Sequence, residues 1–275
     1  MSALKYVNKL QGQRVLVIGG STGVGFCVAE AALEHGAQVI ISSSNEAKLS
    51  AALARLHAHV RAANLGDPDK LALAKTCDLG NMDNLDESVV GLFEFATKGG
   101  KLDHVVFTAG DNLNIMGLRD ATVKGIRSHS EVRIIGAIMV AKHLHKYVNQ
   151  RVQSSFTMTG GTNSWRPLPG WSVVTATGGG IEALSRGFAV DLRPVRSNCV
   201  LLGAVHTEIF DTVPEERRRA VLESFQKDVL TGTVGSPQDV AEAYIYCMKD
   251  SFATGTHVLT DGGRQVGNSR EPLGF

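Results

Sequence analysis

The sequence has no surplus of charge. Its 28 lysines and arginines stand against 27 aspartates and glutamates, a formal +1. That balance gives no field to draw the chain onto nucleic acid or an anionic membrane, so neither is an expected partner. No apolar run approaches the roughly eighteen residues of a membrane span. The opening Met-Ser-Ala-Leu-Lys-Tyr lacks the apolar stretch of a secretory signal, which points to the cytoplasm. Only four cysteines are present, Cys27, Cys77, Cys199 and Cys247, without C-x-x-C or metal-ligand spacing. They are expected to be small buried hydrophobes in a reducing compartment. His57/His59 and His143/His145 stand two apart, a spacing a helix turns to different sides, so no metal site is expected. Repeats and linkers are also missing. What is plentiful is glycine, 30 in 275 residues.

With 43% apolar residues, a chain of this length can bury a core without staples. Short β-type runs alternate with helical ones throughout. Strands are expected at Arg14–Gly19, Gln38–Ser43, Leu71–Cys77, His104–Thr108, Ser155–Thr159, Arg196–Leu202 and His257–Leu259. Helices are expected at Val24–His35, Glu46–Leu56, Leu85–Lys98, Val123–Val148, Thr177–Leu192 and Asp239–Lys249, with 57–68 ambiguous. The alternation implies an α/β fold: one domain over 1–275, a Rossmann-type doubly wound parallel sheet with helices on both faces. A helical lid is expected at 207–230. Its Phe210, Val213, Leu222 and Phe225 would face substrate or core, and Glu215 would pair with Arg219.

Directly after the first strand comes Gly19-Gly20-Ser21-Thr22-Gly23-Val24-Gly25, then a helix. A pyrophosphate needs a tight turn, close backbone approach and free N–H groups at a helix N-terminus, and this arrangement supplies all three. At the end of the second strand stand Ser42, Ser43, Ser44 and Asn45, with no carboxylate before Glu46. An acid there would repel a 2′-phosphate; hydroxyls accept one, so NADP(H) is favoured over NAD(H).

The G-x-x-x-G-x-G spacing resembles that of the short-chain dehydrogenase/reductase family, and the likeness runs over nearly the whole chain. Cys77-Asp78-Leu79 is similar to the segment whose aspartate binds the adenine. Phe107-Thr108-Ala109-Gly110 stands where the family carries Asn-Asn-Ala-Gly beside the cofactor. Gly203-Ala204-Val205-His206-Thr207 resembles the segment whose threonine holds the nicotinamide amide, and Asp261-Gly262-Gly263 the closing pattern. The resemblance implies cofactor contacts at Gly19, Ser21, Thr22, Gly23, Val24, Gly25, Ser42, Ser43, Ser44, Asp78, Leu79, Ala109, Gly110, Gly203, Val205 and Thr207. It also implies a homo-oligomer, dimer or tetramer, built through the helices at 123–148 and 177–192, where Gly136, Ala137 and Ala141 permit close packing.

The family's usual Asn, Ser, Tyr and Lys are missing. Register puts Arg133 at the asparagine, Gly161 at the serine, Val174 at the tyrosine and Gly178 at the lysine, with Gly178-Gly179-Gly180 at the expected helix start. Neither Tyr147 nor Tyr244 falls in register to substitute. Reducing a ketone makes an alkoxide that needs a proton, whereas reducing an iminium makes a neutral amine that needs none. Three readings follow for a small-molecule site: a reductase of a bulky imine or iminium, a carbonyl reductase with a non-standard acid, and a non-catalytic NADP(H)-binding protein. For the first, the candidate catalytic groups are Arg133 as a fixed cation, Trp171 as a stacking ring and Thr159. Asp111, Leu168, Val174 and Phe210 are candidate substrate contacts, and Thr162 and Asn163 are polar neighbours. Arginine at the asparagine position with Pro-Gly-Trp before the lost tyrosine resembles a fungal secondary-metabolism subgroup, the reductase/Diels–Alderases of prenylated indole alkaloid pathways. That likeness implies an intramolecular [4+2] cyclisation besides reduction.

Overall fold

The chain, of which the computed structural model describes residues 5–110 and 115–269, alternates strand and helix from end to end. Strand β1 (Arg14–Ile18) leads to α1 (Gly23–Glu34), β2 (Gln38–Ser43) to α2 (Glu46–Ala62) and the short α3 (Pro68–Leu71). Then follow β3 (Ala72–Thr76), α4 (Leu85–Ala96) and β4 (His104–Phe107). Next come α5 (Val123–Ser130), a π-helical turn (Glu131–Gly136) and α6 (Ala137–Tyr147). The second half holds β5 (Ser155–Gly161), α7 (Ser172–Asp191), β6 (Arg196–Leu202), α8 (Glu215–Lys227), α9 (Pro237–Lys249) and β7 (His257–Thr260).

The seven strands form one parallel sheet in the order β3-β2-β1-β4-β5-β6-β7. Each central strand is apolar on both sides, because each side is covered. Leu16, Ile18, Val105, Phe107, Phe156 and Met158 pack with α4, α6 and α7. Their alternate neighbours Val15, Val17, Val39, Ile41 and Val106 pack with α1, α2 and α9. The strand order reverses between β1 and β4, which opens a crevice beyond the carboxyl ends of those strands. That is the doubly wound sheet expected from the alternation.

Three differences from the expected elements matter. The helix at 123–148 is interrupted by the π turn, an extra residue in one turn that a continuous apolar pattern cannot reveal. Helix α7 starts at Ser172, five residues early, so its three glycines lie in its interior and not at its start. Helix α2 continues through the ambiguous stretch to Ala62, and Asp67 then caps a further turn with Pro68 at its first position. In α8, Arg219 pairs with Glu223 at 2.8 Å, not with Glu215. The four cysteines are buried and unbridged. Burial pushes the thiols of Cys27 and Cys77 up to about 11 and that of Cys247 to about 12, which leaves them unreactive. No helix among the described residues is long and apolar enough to cross a membrane, and no acidic, histidine or cysteine cluster among them is fit for a metal.

Candidate active site

The turn after β1 is shaped by backbone against backbone. Gly19 adopts φ +91°, and a Cβ there would stand 2.5 Å from the amide nitrogen of Ala109. Its own N–H and that of Gly20 donate to the carbonyl of Ser42, at 2.8 and 3.0 Å, which binds the turn to the end of β2. The Thr108 hydroxyl donates to the carbonyls of Ile18 and Gly19 and ties β4 to the same turn. Helix α1 therefore begins at a crossing where only glycine fits. Thr22 is its N-cap but makes no side-chain capping bond, so its hydroxyl is not spent on the helix. The first N–H groups of a helix have no partner within it, and they favour an anion. Thr207 lies against Gly23 from across the crevice, and Glu208 brings a carboxylate to the same place. The glycine turn, the open helix start and the Thr22 hydroxyl fit a pyrophosphate; the Glu208 carboxylate does not.

On the adenine side the sequence reading needs one correction. Ser42 is fully buried and its hydroxyl makes no hydrogen bond, so its side chain is out of a ligand's reach; its backbone carbonyl holds the glycine turn instead. Ser21 donates to the Ser43 hydroxyl at 3.0 Å, and Ser44 and Asn45 are exposed beyond it. Asn45 caps α2 through Lys48 N–H. Asp78 is exposed at the rim, where it accepts from the Gly80 N–H, while the side chain of Leu79 sits in the core and leaves only its backbone to a ligand. Val205 is likewise buried.

The other side of the crevice is built from side chains. The π turn presents Arg133 so that its guanidinium packs on Gly110, where any Cβ would collide with it. A side chain at 110 would have to displace the flexible end of Arg133. Asp111, the neighbouring candidate, lies outside the described residues. Val174, Gly178 and Glu182 recur every four residues along α7 and share one face. The three interior glycines then separate by contact. Gly178 faces Ser164 and Asn163, Gly180 lets Ile134 of the π turn approach, and Gly179 faces open space. Trp171 is the N-cap of α7, half-buried, and Leu168 is half-buried three residues earlier, its carbonyl accepting from the Trp171 N–H.

Thr159 leaves the catalytic set. Its hydroxyl donates to the Phe107 carbonyl at 2.9 Å and meets the Tyr244 hydroxyl at 2.7 Å, on the face of β5 that α9 covers. Tyr244 is wholly buried there, and desolvation raises its pKa beyond any acid role. Tyr147 stacks on Phe93, with its hydroxyl held by Lys146 beside Leu102 at the opposite end of the strands. The remaining two tyrosines, Tyr6 and Tyr246, lie exposed near the first residues described and on α9.

Phe210 is buried against His206 and Phe225, so the expected lid has an aromatic seam of its own. Sequence reasoning missed what holds this lid in place. Asp228, just after α8, accepts from Arg166 at 2.6 Å and from Arg264 at 2.8 Å. Each of those arginines also donates to the other's backbone carbonyl. The clamp joins the lid, the loop after β5 and the segment after β7; no periodic pattern marks such a contact across 98 residues. Also missed was Glu182, buried on α7, which accepts from Ser164 and, at 2.7 Å, from Trp165 Nε1, with His257 beyond.

A family profile described as an SDR-like Rossmann domain matches residues 6–266. The chain belongs to the short-chain dehydrogenase/reductase (SDR) family. Within the SDR family it is 39% identical over 254 residues to the short-chain dehydrogenase/reductase malC of Malbranchea aurantiaca, covering 92% of this chain and 95% of the relative. It is 42% identical over 264 residues to fsr5 of Gibberella fujikuroi, covering 94% and 97%. The solved structure of the MalC reductase/Diels–Alderase superposes with a TM-score of 0.89 at 37% identity, covering 95% of this chain and all of that one. The resemblance stated from the sequence is therefore shown, both for the SDR family and for its fungal secondary-metabolism relatives.

Proposed function

We propose that this SDR protein is an NADPH-dependent reductase of a bulky imine or iminium intermediate. The observation that carries the reading is the pairing of Arg133 with Gly110 at the mouth of β4, beside a helix face with Val174 and Gly178 where a proton donor would stand. A fixed cation that holds its proton at any working pH stabilises developing or resident negative charge but donates no proton to an alkoxide. An iminium reduced to an amine needs no such donor. NADPH supplies the hydride when bound. The chain's own residues then bind and orient: Arg133 holds a carbonyl or carboxylate oxygen of the substrate, and Trp171, Leu168 and Val174 offer apolar surface to its body, while Phe210 is spent on the lid's own packing. The clamped lid excludes water from the crevice.

The exposed Ser44 and the half-buried Ser43, without a carboxylate at the end of β2, support the phosphorylated cofactor. The likeness to a protein titled a reductase/Diels–Alderase supports a second role, templating an intramolecular [4+2] cyclisation once the substrate is folded inside the crevice. Exposed Ile126, Ile135, Ile138 and Val190 on α5, the π turn, α6 and α7 suit the pairing of two copies. The test is stopped-flow oxidation of NADPH by purified protein with N-methyl-3,4-dihydroisoquinolinium and with acetophenone. Turnover of the iminium alone is expected; turnover of the ketone at a comparable rate would overturn the reading in favour of an unrecognised acid.

A further inference from the structure

The loop between β5 and α7, residues 162–171, holds one short helical turn and carries both of the chain's tryptophans, Trp165 and Trp171. Leu168 and Trp171, part of the apolar surface offered to substrate, lie in its second half. Its first half is fastened to the following helix by one carboxylate. Glu182 follows Gly178 by a turn of α7 on the same face, and its side chain is buried. One carboxylate oxygen accepts from the Ser164 hydroxyl, and the other accepts from Trp165 Nε1 at 2.7 Å. The next residue, Arg166, is the one that reaches Asp228 and the lid. Glu182 therefore grips the two residues immediately before the lid's anchor.

Stability alone does not account for this arrangement. The ionic neighbour of Glu182 is His257 of β7, with Nδ1 at 3.8 Å, and an imidazole is charged only when protonated. Burying a carboxylate beside it is costly, and an apolar side chain of similar volume would serve a helix core at least as well. What the carboxylate supplies, and an apolar group cannot, is two directed acceptors for two consecutive residues. They fix where 164 and 165 stand, and with them the path of the chain onward to Leu168 and Trp171. A surface held in advance by such bonds costs less ordering when a ligand meets it.

We propose that Glu182 is a positioning residue: by holding Ser164 and Trp165 it fixes the surface that Leu168 and Trp171 offer, and so favours bulky substrates over small ones. A large planar body gains from that surface, and a small one does not reach it. The inference deepens the function proposed above and rests on it for the substrate, though not for the loop.

Because both tryptophans lie on the loop, their emission reads its position. In Glu182→Ala the emission is expected to move to longer wavelength and acrylamide quenching to rise. KM for 2-methyl-1-phenyl-3,4-dihydroisoquinolinium should rise about tenfold, with kcat within about threefold and NADPH affinity within about twofold of wild type. KM for N-methyl-1-pyrrolinium should stay unchanged. Glu182→Gln should restore the wild-type values. Its carboxamide oxygen still accepts from Trp165, and Ser164, which also donates to the Gly161 carbonyl at 2.9 Å, turns from donor to acceptor towards residue 182. A merely structural glutamate would lower the melting temperature without parting the two substrates. If the alanine variant does not fold, Trp165→Phe, at a half-exposed position, removes the indole donor alone and carries the same split in KM. Unmoved emission in Glu182→Ala, an equal change of KM for both iminium ions, or no rescue by Glu182→Gln would overturn the proposal. If the wild type turns over neither ion, the function reading fails, and emission and quenching alone decide whether Glu182 holds the loop.

Discussion

The β1–β2 side of the crevice and the β5–α7 side are built by different means. At the first, backbone meets backbone: Gly19 against Ala109, and the Ser42 carbonyl under two successive N–H groups. At the second, side chains face one another: Arg133 on Gly110, and Asn163 between Gly161 and Gly178. A site made of backbone contacts cannot change without breaking the chain's path. A site made of side chains can be refitted on the same path, provided the space is conserved. The glycine turn after β1 keeps the spacing that resembles the family's, while Arg133, Gly161, Val174 and Gly178 stand in register with its usual catalytic residues, and the fold superposes on that of a relative.

Four experiments can break or sharpen this contrast. The largest effect is expected from Gly19→Val, which puts a branched side chain at φ +91° into the Ala109 backbone. NADPH binding should disappear from fluorescence titration and the melting temperature should fall; retained binding would end the claim that this side is fixed by its backbone. Next, Arg133→Ala should lower iminium turnover by about a hundredfold, the scale of losing one charge-stabilising donor. Its NADPH affinity should stay within about twofold of wild type. A parallel loss of cofactor binding would mean that the two sides are not separable.

A third test asks whether acid sensitivity belongs to the site or to the core. His104 is fully buried between Gln13 and Ser155, and desolvation holds its pKa down at about 3. In the unfolded chain it titrates near its ordinary ~6.5. Between those values the unfolded chain takes up a proton that the folded one refuses. Stability therefore falls as pH drops below about 6.5, by at most about 1.4 kcal/mol per pH unit from this group. His104→Asn should flatten the melting temperature between pH 6.5 and 4; an unchanged slope would place the sensitivity elsewhere. The smallest effect is expected from Gly179→Ala. Position 179 meets open space in the interior of α7, so the change should raise stability by about 1 kcal/mol without altering NADPH affinity.

The sequence showed strands to within a residue or two, because runs such as RVLVI and QVIISS hold unbroken apolar stretches bounded by glycine or polar residues. It showed the glycine turn after β1 for the same local reason. It did not show the π turn that aims Arg133, since one added residue leaves an apolar helix pattern nearly unchanged. Nor did it show that Thr159 faces α9, that Ser42 is sealed from solvent, or that Glu182 and Asp228 each gather partners from distant segments.

By itself, then, the sequence determined the doubly wound sheet, the glycine turn after β1 and the absence of the family's tyrosine and lysine. Each is written in consecutive residues or in a spacing relative to them. Its glycine count stood out without explaining itself. Only the tertiary structure decided that Gly110 admits Arg133, that Gly178 and Gly161 flank Asn163, that Gly180 admits Ile134 and that Gly179 admits nothing. A glycine in sequence is a missing side chain; which neighbour uses the space depends on segments that only folding brings within a few ångströms.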